Sequence, residues 1–355
     1  MSAEVLQDGD VIVRRERSLR RITLNRPKAL NALTLDMGVT MTACLRSWAQ
    51  DAEVGAVLID GAGGRALCAG GDIRALYDAA KTGDPLPAKF WATEYHLDVL
   101  IARYRKPLIV VMDGVVMGGG VGLSAHAAHR IVSDSSAVAM PEVGIGFFPD
   151  VGAAFLLARS PGYVGTHLML TGDRLGAADA IYCGLADHNI ASERLAELPS
   201  ALDDCRSADD VRSRLRGMSS PPPAGRLDSA RPWIDACYAA DTIEEIVERL
   251  RASKVEDAHA ALATILTKSP TSLKVALRNI RSARSFARVE QSFQQDYRIA
   301  LACIAGHDFI EGIRATIVDK DRKPAWRPDT IAGVTPDIVE EHFKPVGALE
   351  LKFSD

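Results

Sequence analysis

KPLIVVMDGVVMGGGVGLSAHAAHRI, residues 106–131, runs from a mainly apolar block through a triple glycine into a small-residue segment. A mainly apolar run closed by glycines predicts a buried strand over KPLIVVMDGVVM, and GVGLSAHAAH predicts a small-residue helix. RIVSDSSAVAMPE then predicts a further extended pair. The same order occurs upstream. LTLDMGVTMTACLRSWAQD carries apolar residues at helical spacing behind Thr34, a candidate N-cap, and GAVLIDGAG is a short apolar run closed by glycines. VIVRRERSLRRITLN, residues 11–25, alternates charged and apolar positions about a turn and predicts a β-hairpin at the edge of a sheet. Repeated strand-then-helix units predict an α/β architecture with covered sheets.

Helical patterns dominate from about residue 153: AAFLLARS, GAADAIYCG (176–184), IEEIVERLRAS and SPTSLKVALRNIR, the last opened by Ser269 as N-cap and Pro270 in the first turn. SSPPPAGR, residues 219–226, is the strongest linker signal, since a proline run cannot be helix interior. The expected organisation is a core over 1–190 and a mainly helical region over 191–355, with an extended tail from residue 318 that could cover a site. With 355 residues, 47% hydrophobic and 25% charged, the composition is that of an ordinary globular enzyme, and a net charge of −4 argues against nucleic acid or acidic membranes as partners. Six cysteines without CxxC spacing signal neither a zinc ribbon nor a disulfide framework and suit a reducing cytoplasm. No signal peptide or long uncharged apolar stretch is read, so a cytoplasmic chain is expected.

Two glycine clusters, in ALCAGGDIRALYDAAK (66–81) and in the triple-glycine stretch, each join an apolar run to a helix. Glycine there permits close approach of a ligand to backbone N–H groups; two such corners facing one point would form an oxyanion hole, and tight turns with close helix packing are the alternative. MPEVGIGFFPD, residues 140–150, sets Glu142 and Asp150 among apolar residues, glycine and proline, where a carboxylate either has a partner or serves proton chemistry. Asp150 also reads as a helix N-cap for VGAAFLLAR, and Glu142 as a surface residue at a strand end. Other motifs fall short. GVGLSA matches a relaxed dinucleotide fingerprint without a well-placed acidic partner, and GLSAH fails the nucleophile elbow at its last position, removing the argument for Ser124. Cys68 reads as a small buried hydrophobe, and His126 with His129 as a helix surface lacking a third ligand, so no metal is expected.

Taken together, NRPKALNAL (25–33), LCAGGDIRAL (67–76), the 106–131 stretch, MPEVGIGFFPDVGAAFLLAR (140–159) and LTGDRLGAADAIYCGLADHNI (170–190) resemble the enoyl-CoA hydratase/isomerase (crotonase) superfamily in content and order. SPTSLKVALR (269–278) extends the resemblance to the C-terminal helices. The resemblance implies a β-β-α superhelical spiral with a helical C-terminal region, and a substrate that carries coenzyme A as a thioester, with no separate cofactor. Hydratases of the superfamily carry a glutamate two residues after the triple glycine. Here that residue is Gly122.

Glu142, Asp150, GGDIRAL, MGGGVGLS, SPTSLK and the pair Glu94 and Tyr95 resemble instead the branch of 3-hydroxyisobutyryl-CoA hydrolases. That branch implies hydrolysis of a short 3-hydroxyacyl-CoA in valine catabolism. It assigns the oxyanion amides to Gly71 and Gly119 and the attack, as nucleophile or general base, to Glu142. The substrate hydroxyl or a proton falls to Asp150 and the acyl end to Glu94. Lys28, Ala29, Ala69, Gly71, Asp72 and Ile73 match the positions that hold CoA. A hydratase or isomerase, and a CoA-binding protein without turnover, are the alternatives; a trimer or hexamer is the expected assembly.

Overall fold

The computed structural model describes residues 4–353. Among the described residues ten strands form two sheets. β1 (Glu4–Gln7), β2 (Val11–Glu16), β3 (Leu19–Leu24), β4 (Ala56–Gly61), β6 (Leu108–Met112), β8 (His129–Val132) and β10 (His188–Asn189) make a seven-stranded sheet in that spatial order. β5 (Ala66–Cys68), β7 (Val115–Met117) and β9 (Ala137–Ala139) make a three-stranded one, in that order. The hairpin β2–β3 is antiparallel, with Val11 opposite Leu24 and Glu16 opposite Leu19. It is not the edge, because β1 pairs antiparallel outside β2. From β3 through β4, β6, β8 and β10 all neighbours run parallel. Every residue of β6 is buried, as its near-continuous apolar sequence requires of a parallel strand covered on both faces.

The run read as a single strand over 106–117 is two. Gly114, at φ +65°, turns the chain between β6 and β7 and sends them to different sheets. A Cβ there would collide with the Arg65 carbonyl, so glycine is required by both conformation and space. The helix predicted over GVGLSAHAAH is shorter than its pattern. It ends at Ala125, and His129 is buried in β8 rather than lying on a helix surface.

The chain gathers into two compact units, each built from three segments: 1–71, 93–138 and 174–225 in the first, 72–92, 139–173 and 226–355 in the second. One boundary falls at residue 225, at the end of the exposed proline-rich stretch. In the first unit, helix α1 (Leu35–Gln50) starts where expected, with Thr34 Oγ1 accepting from the Met37 N–H, and buries Met37, Met41, Leu45 and Trp48 at helical spacing. Leu19, Leu58, Ile109 and Ile131 form a core with Leu202, Val211 and Leu215 from the helices Leu198–Leu202 and Ala208–Met218. The second unit opens with α2 (Ile73–Thr82). α3 (Leu86–Ala102) divides between the units at residues 92 and 93. In the first unit α4 (Gly119–Ala125) follows β7. The rest of the second unit is mainly helical, from α5 (Ala153–Leu157) and α6 (Val164–Thr171) to the long helices Pro270–Ala283 and Val289–Ala305. Among the described residues no helix is long and apolar enough to cross a membrane.

Candidate active site

In the first unit the two glycine bends adjoin. β5 and β7 run parallel side by side, Ala66 opposite Val115 and Cys68 opposite Val116, so their C-terminal ends open onto the same edge of the sheet. The first bend follows β5. Gly70 takes φ +110°, its carbonyl accepts from the Leu33 N–H, and Gly71 bridges Leu33. The second follows β7, with Gly118 at φ +49° and Gly119 as the first residue of α4. A Cβ on Gly70 would stand 3.9 Å from the Gly119 nitrogen, and one on Gly120 would strike the Cys68 carbonyl. These glycines let two main chains run at contact distance.

Glu94, on α3, lies against the second bend. It is 5% exposed, and a Cβ at Gly119 would collide with Glu94 Oε1, so only glycine leaves that space to the carboxyl oxygen. Of the residues matched to CoA, Lys28 and Ala29 sit exposed on the short helical turn Pro27–Ala29. Half-buried Ala69 donates its N–H to the Leu30 carbonyl, which ties that turn to the first glycine bend. Asp72 and Ile73 fall in the second unit, where Asp72 caps α2 by accepting from the Ala75 N–H. Cys68 is fully buried, and burial pushes its thiol up to about 12, so it packs as a hydrophobe.

The second unit holds the acid pair. Glu142 is the first residue of the turn Glu142–Ile145, which Gly146 closes in a left-handed conformation by donating its N–H to the Glu142 carbonyl. Glu142 is 8% exposed and Asp150 5%. Glu142 Oε2 is buried and accepts no hydrogen bond. Desolvation, and secondarily the charge of nearby Asp150, hold the Glu142 carboxyl well above the usual carboxylate range. Glu142 is thus not a surface residue at a strand end.

Nor is Asp150 the N-cap of the following helix. That position belongs to Gly152, with no side-chain capping bond, because Val151 and Gly152 both turn left-handed (φ +50° and +73°) before α5 begins.

The Glu142 turn is fixed by residues the sequence reading did not link to it. A Cβ on Gly146 would strike the Asp308 carbonyl and one on Gly312 the Ile145 carbonyl, so the helix Asp308–Ile313 seats flush on the turn. Ser269, the correctly placed cap of the helix Pro270–Ala283, donates its N–H to the Val143 carbonyl at 3.3 Å and its Oγ to Asp308 Oδ2 at 2.6 Å. Trp91 stacks on Phe147, with ring centroids 5.3 Å apart, and Phe147 meets Phe309 at 4.8 Å. These rings surround the segment between the two carboxylates with apolar matter. Among the described residues no cluster of side chains could hold a metal ion.

Residues 19–343 match the model of the family described as enoyl-CoA hydratase/isomerase. The chain belongs to the enoyl-CoA hydratase/isomerase family. Curated members similar to it are named 3-hydroxyisobutyryl-CoA hydrolase, mitochondrial. The Xenopus laevis protein is 40% identical over 99% of this chain and 93% of its own, and the Homo sapiens protein 40% over 94% and 88%. Among solved structures, a carnitinyl-CoA dehydratase from Mycobacterium thermoresistibile is 45% identical, covers 98% of this chain and 99% of its own, and superposes with a TM-score of 0.93. An enoyl-CoA hydratase from Rhodobacter sphaeroides 2.4.1 is 40% identical, with coverage of 97% and 100% and a TM-score of 0.91. The fold is that of the enoyl-CoA hydratase/isomerase family, the crotonase-like spiral with a helical C-terminal region.

Proposed function

We propose that the protein is an acyl-CoA thioester hydrolase that converts 3-hydroxyisobutyryl-CoA to 3-hydroxyisobutyrate and CoA, a step of valine catabolism. Curated relatives with that name match almost the whole chain. The observation that carries the chemistry is Glu142: a buried carboxyl with one oxygen unpartnered and its proton affinity raised, as a group that must attack a carbonyl or take a proton from water requires.

In this reading the amides of Gly71 and Gly119 receive the thioester oxygen as it gains charge, a stabilisation worth about 3 kcal/mol per donor. Glu142 acts at the carbonyl carbon, either directly, forming an anhydride, or by deprotonating a water. The carbon–sulfur bond then breaks, the CoA sulfur leaves and takes up a proton, and water supplies the second oxygen of the acid. Asp150 binds the 3-hydroxyl or relays a proton, and Glu94 meets the acyl end. Lys28, Ala29, Ala69, Asp72 and Ile73 hold the CoA portion, Lys28 as a cation for its phosphates. The reaction needs no cofactor beyond the CoA of its substrate, which turnover after dialysis against a chelator tests. The cytoplasm, a reducing compartment, suits six unbridged cysteines. Fractionation of the source cells decides that placement, since the vertebrate relatives are named mitochondrial. Assembly as a trimer or hexamer belongs to the same proposal and is read by light scattering.

Release of CoA thiol from 3-hydroxyisobutyryl-CoA, wild type beside Glu142→Gln, is the test. No release by wild type, or undiminished release by the variant, overturns the reading. A single turnover in ¹⁸O-labelled water separates the two routes, label in Glu142 marking the anhydride. Hydration or isomerisation of a short enoyl-CoA is the alternative reading. Against it stands Gly122, buried within α4, where a hydratase of the resemblance has its second acid–base carboxylate. Loss of enoyl thioester absorbance faster than thiol release would decide for hydration. Tight CoA binding without turnover of any acyl thioester would point to a non-catalytic binding protein.

A further inference from the structure

Behind the acid pair of the second unit lies a third carboxyl that the reaction does not use. Asp296, in the middle of the helix Val289–Ala305, has no exposed surface. Its Oδ2 accepts from the Gly152 N–H at 2.8 Å, and its Oδ1 accepts from Asn279 Nδ2 at 3.1 Å. Asn279, also fully buried, accepts in turn from Gln295 Nε2 at 2.6 Å. Among the described residues no lysine or arginine pairs with Asp296. A buried carboxyl held only by neutral amides is costly to keep, and an apolar residue would fill the space without that cost.

What Asp296 grips accounts for its presence. Val151 and Gly152 take consecutive left-handed conformations immediately after Asp150, and a β-branched residue adopts that region only when its surroundings impose it. Gly152, at the N-cap of α5, has no side chain of its own to cap the helix. Its backbone N–H is held by a carboxyl 144 residues further along the chain. Desolvation, together with the charge of Asp150, pushes the Asp296 carboxyl above its ordinary range.

We propose that Asp296 is a positioning residue for thioester hydrolysis. Through the Gly152 N–H it locks the Val151–Gly152 bend and so fixes where the Asp150 carboxyl stands, and Asn279 holds the Asp296 carboxyl in turn. The role rests on the reading of Asp150 as a reacting group.

Two measurements test it: hydrogen–deuterium exchange over residues 149–157, which needs no turnover, and kcat and KM for thiol release. Asp296→Ala is expected to speed exchange at Gly152 and to lower kcat, each about tenfold, the loss of one buried hydrogen bond, while KM stays within about threefold. Asp296→Asn keeps an oxygen for the Gly152 N–H and is expected to recover most of both. Should Asp296→Ala fail to fold, Asn279→Ala, which frees the outer side of the Asp296 carboxyl, gives smaller changes in the same two readouts. Unchanged exchange and kcat in the folded alanine variants overturn the proposal. So does an equal loss in Asp296→Ala and Asp296→Asn with KM rising in step, which marks general loosening. A wild type that releases no thiol removes the hydrolase reading and this role with it. In that case faster exchange in Asp296→Ala still identifies the anchored bend, so the two failures are distinct.

Discussion

Glu142 burdens the native state at neutral pH in a way that a glutamine would not. Burial first, and the charge of Asp150 second, raise its proton affinity, so between the ordinary carboxylate value and the raised one the folded chain holds a proton that the unfolded chain has lost. The contribution of this group to stability is therefore complete below the ordinary carboxylate value and is lost as pH rises through the raised one. Glu142→Gln is expected to melt above wild type at neutral pH, the difference vanishing in acid, while kcat falls by ~10²–10⁴-fold. Melting curves across pH beside thiol-release assays check both halves. Gly119→Ala probes the opposite feature, a lack of room. The added Cβ meets Glu94 Oε1, so either the carboxyl or the bend must shift. In the hydrolase reading the expected loss is about 10²-fold in kcat, the scale of one displaced oxyanion donor, with a circular dichroism spectrum like that of wild type.

Among the elements, the cap of the helix Pro270–Ala283 does more than end a helix. Ser269 Oγ accepts from the Ser272 N–H and donates to Asp308, and the Ser269 backbone N–H holds Val143 beside Glu142. Ser269→Ala removes the cap and leaves Asp308 Oδ2 short of a buried donor. Chemical denaturation is expected to show a loss of about 2 kcal/mol, at the upper end for an N-cap. Local signals made this element readable, because serine before proline acts on its own helix. Thr34 before α1 was readable for the same reason. The run 106–117 was not. Gly114 divides it between two sheets, and hydropathy over a window cannot distinguish one buried strand from two that a positive-φ glycine separates. Asp150 misled in a different way. Aspartate before a helical pattern is a fair cap by composition, yet the left-handed Val151–Gly152 bend moves the helix start beyond its reach, and a distant carboxyl holds that bend.

At the scale of the whole molecule, the six cysteines form no disulfide, and five of them are buried. Desolvation raises the thiols of Cys44, Cys205, Cys237 and Cys303, and that of Cys68 to about 12. A neutral thiol reagent added to the native chain is therefore expected to modify half-buried Cys44 at most, and all six thiols once denaturant is present; rapid native labelling at Cys68 would contradict this packing. The sequence by itself determined the alternation of buried strands and helices, the glycine corners, the exposed proline-rich stretch 219–226 and the family. Each of these is written in residues adjacent along the chain, in hydrophobic period, turn chemistry and motif order. Only the tertiary structure decided that β5 and β7 lie side by side so that their glycine bends adjoin, that Glu142 is buried with one oxygen unpartnered, and that Asp296 anchors the bend after Asp150. Those facts depend on which distant segments share a contact, and a buried carboxyl gains its altered proton affinity from neighbours that the chain brings to it only by folding.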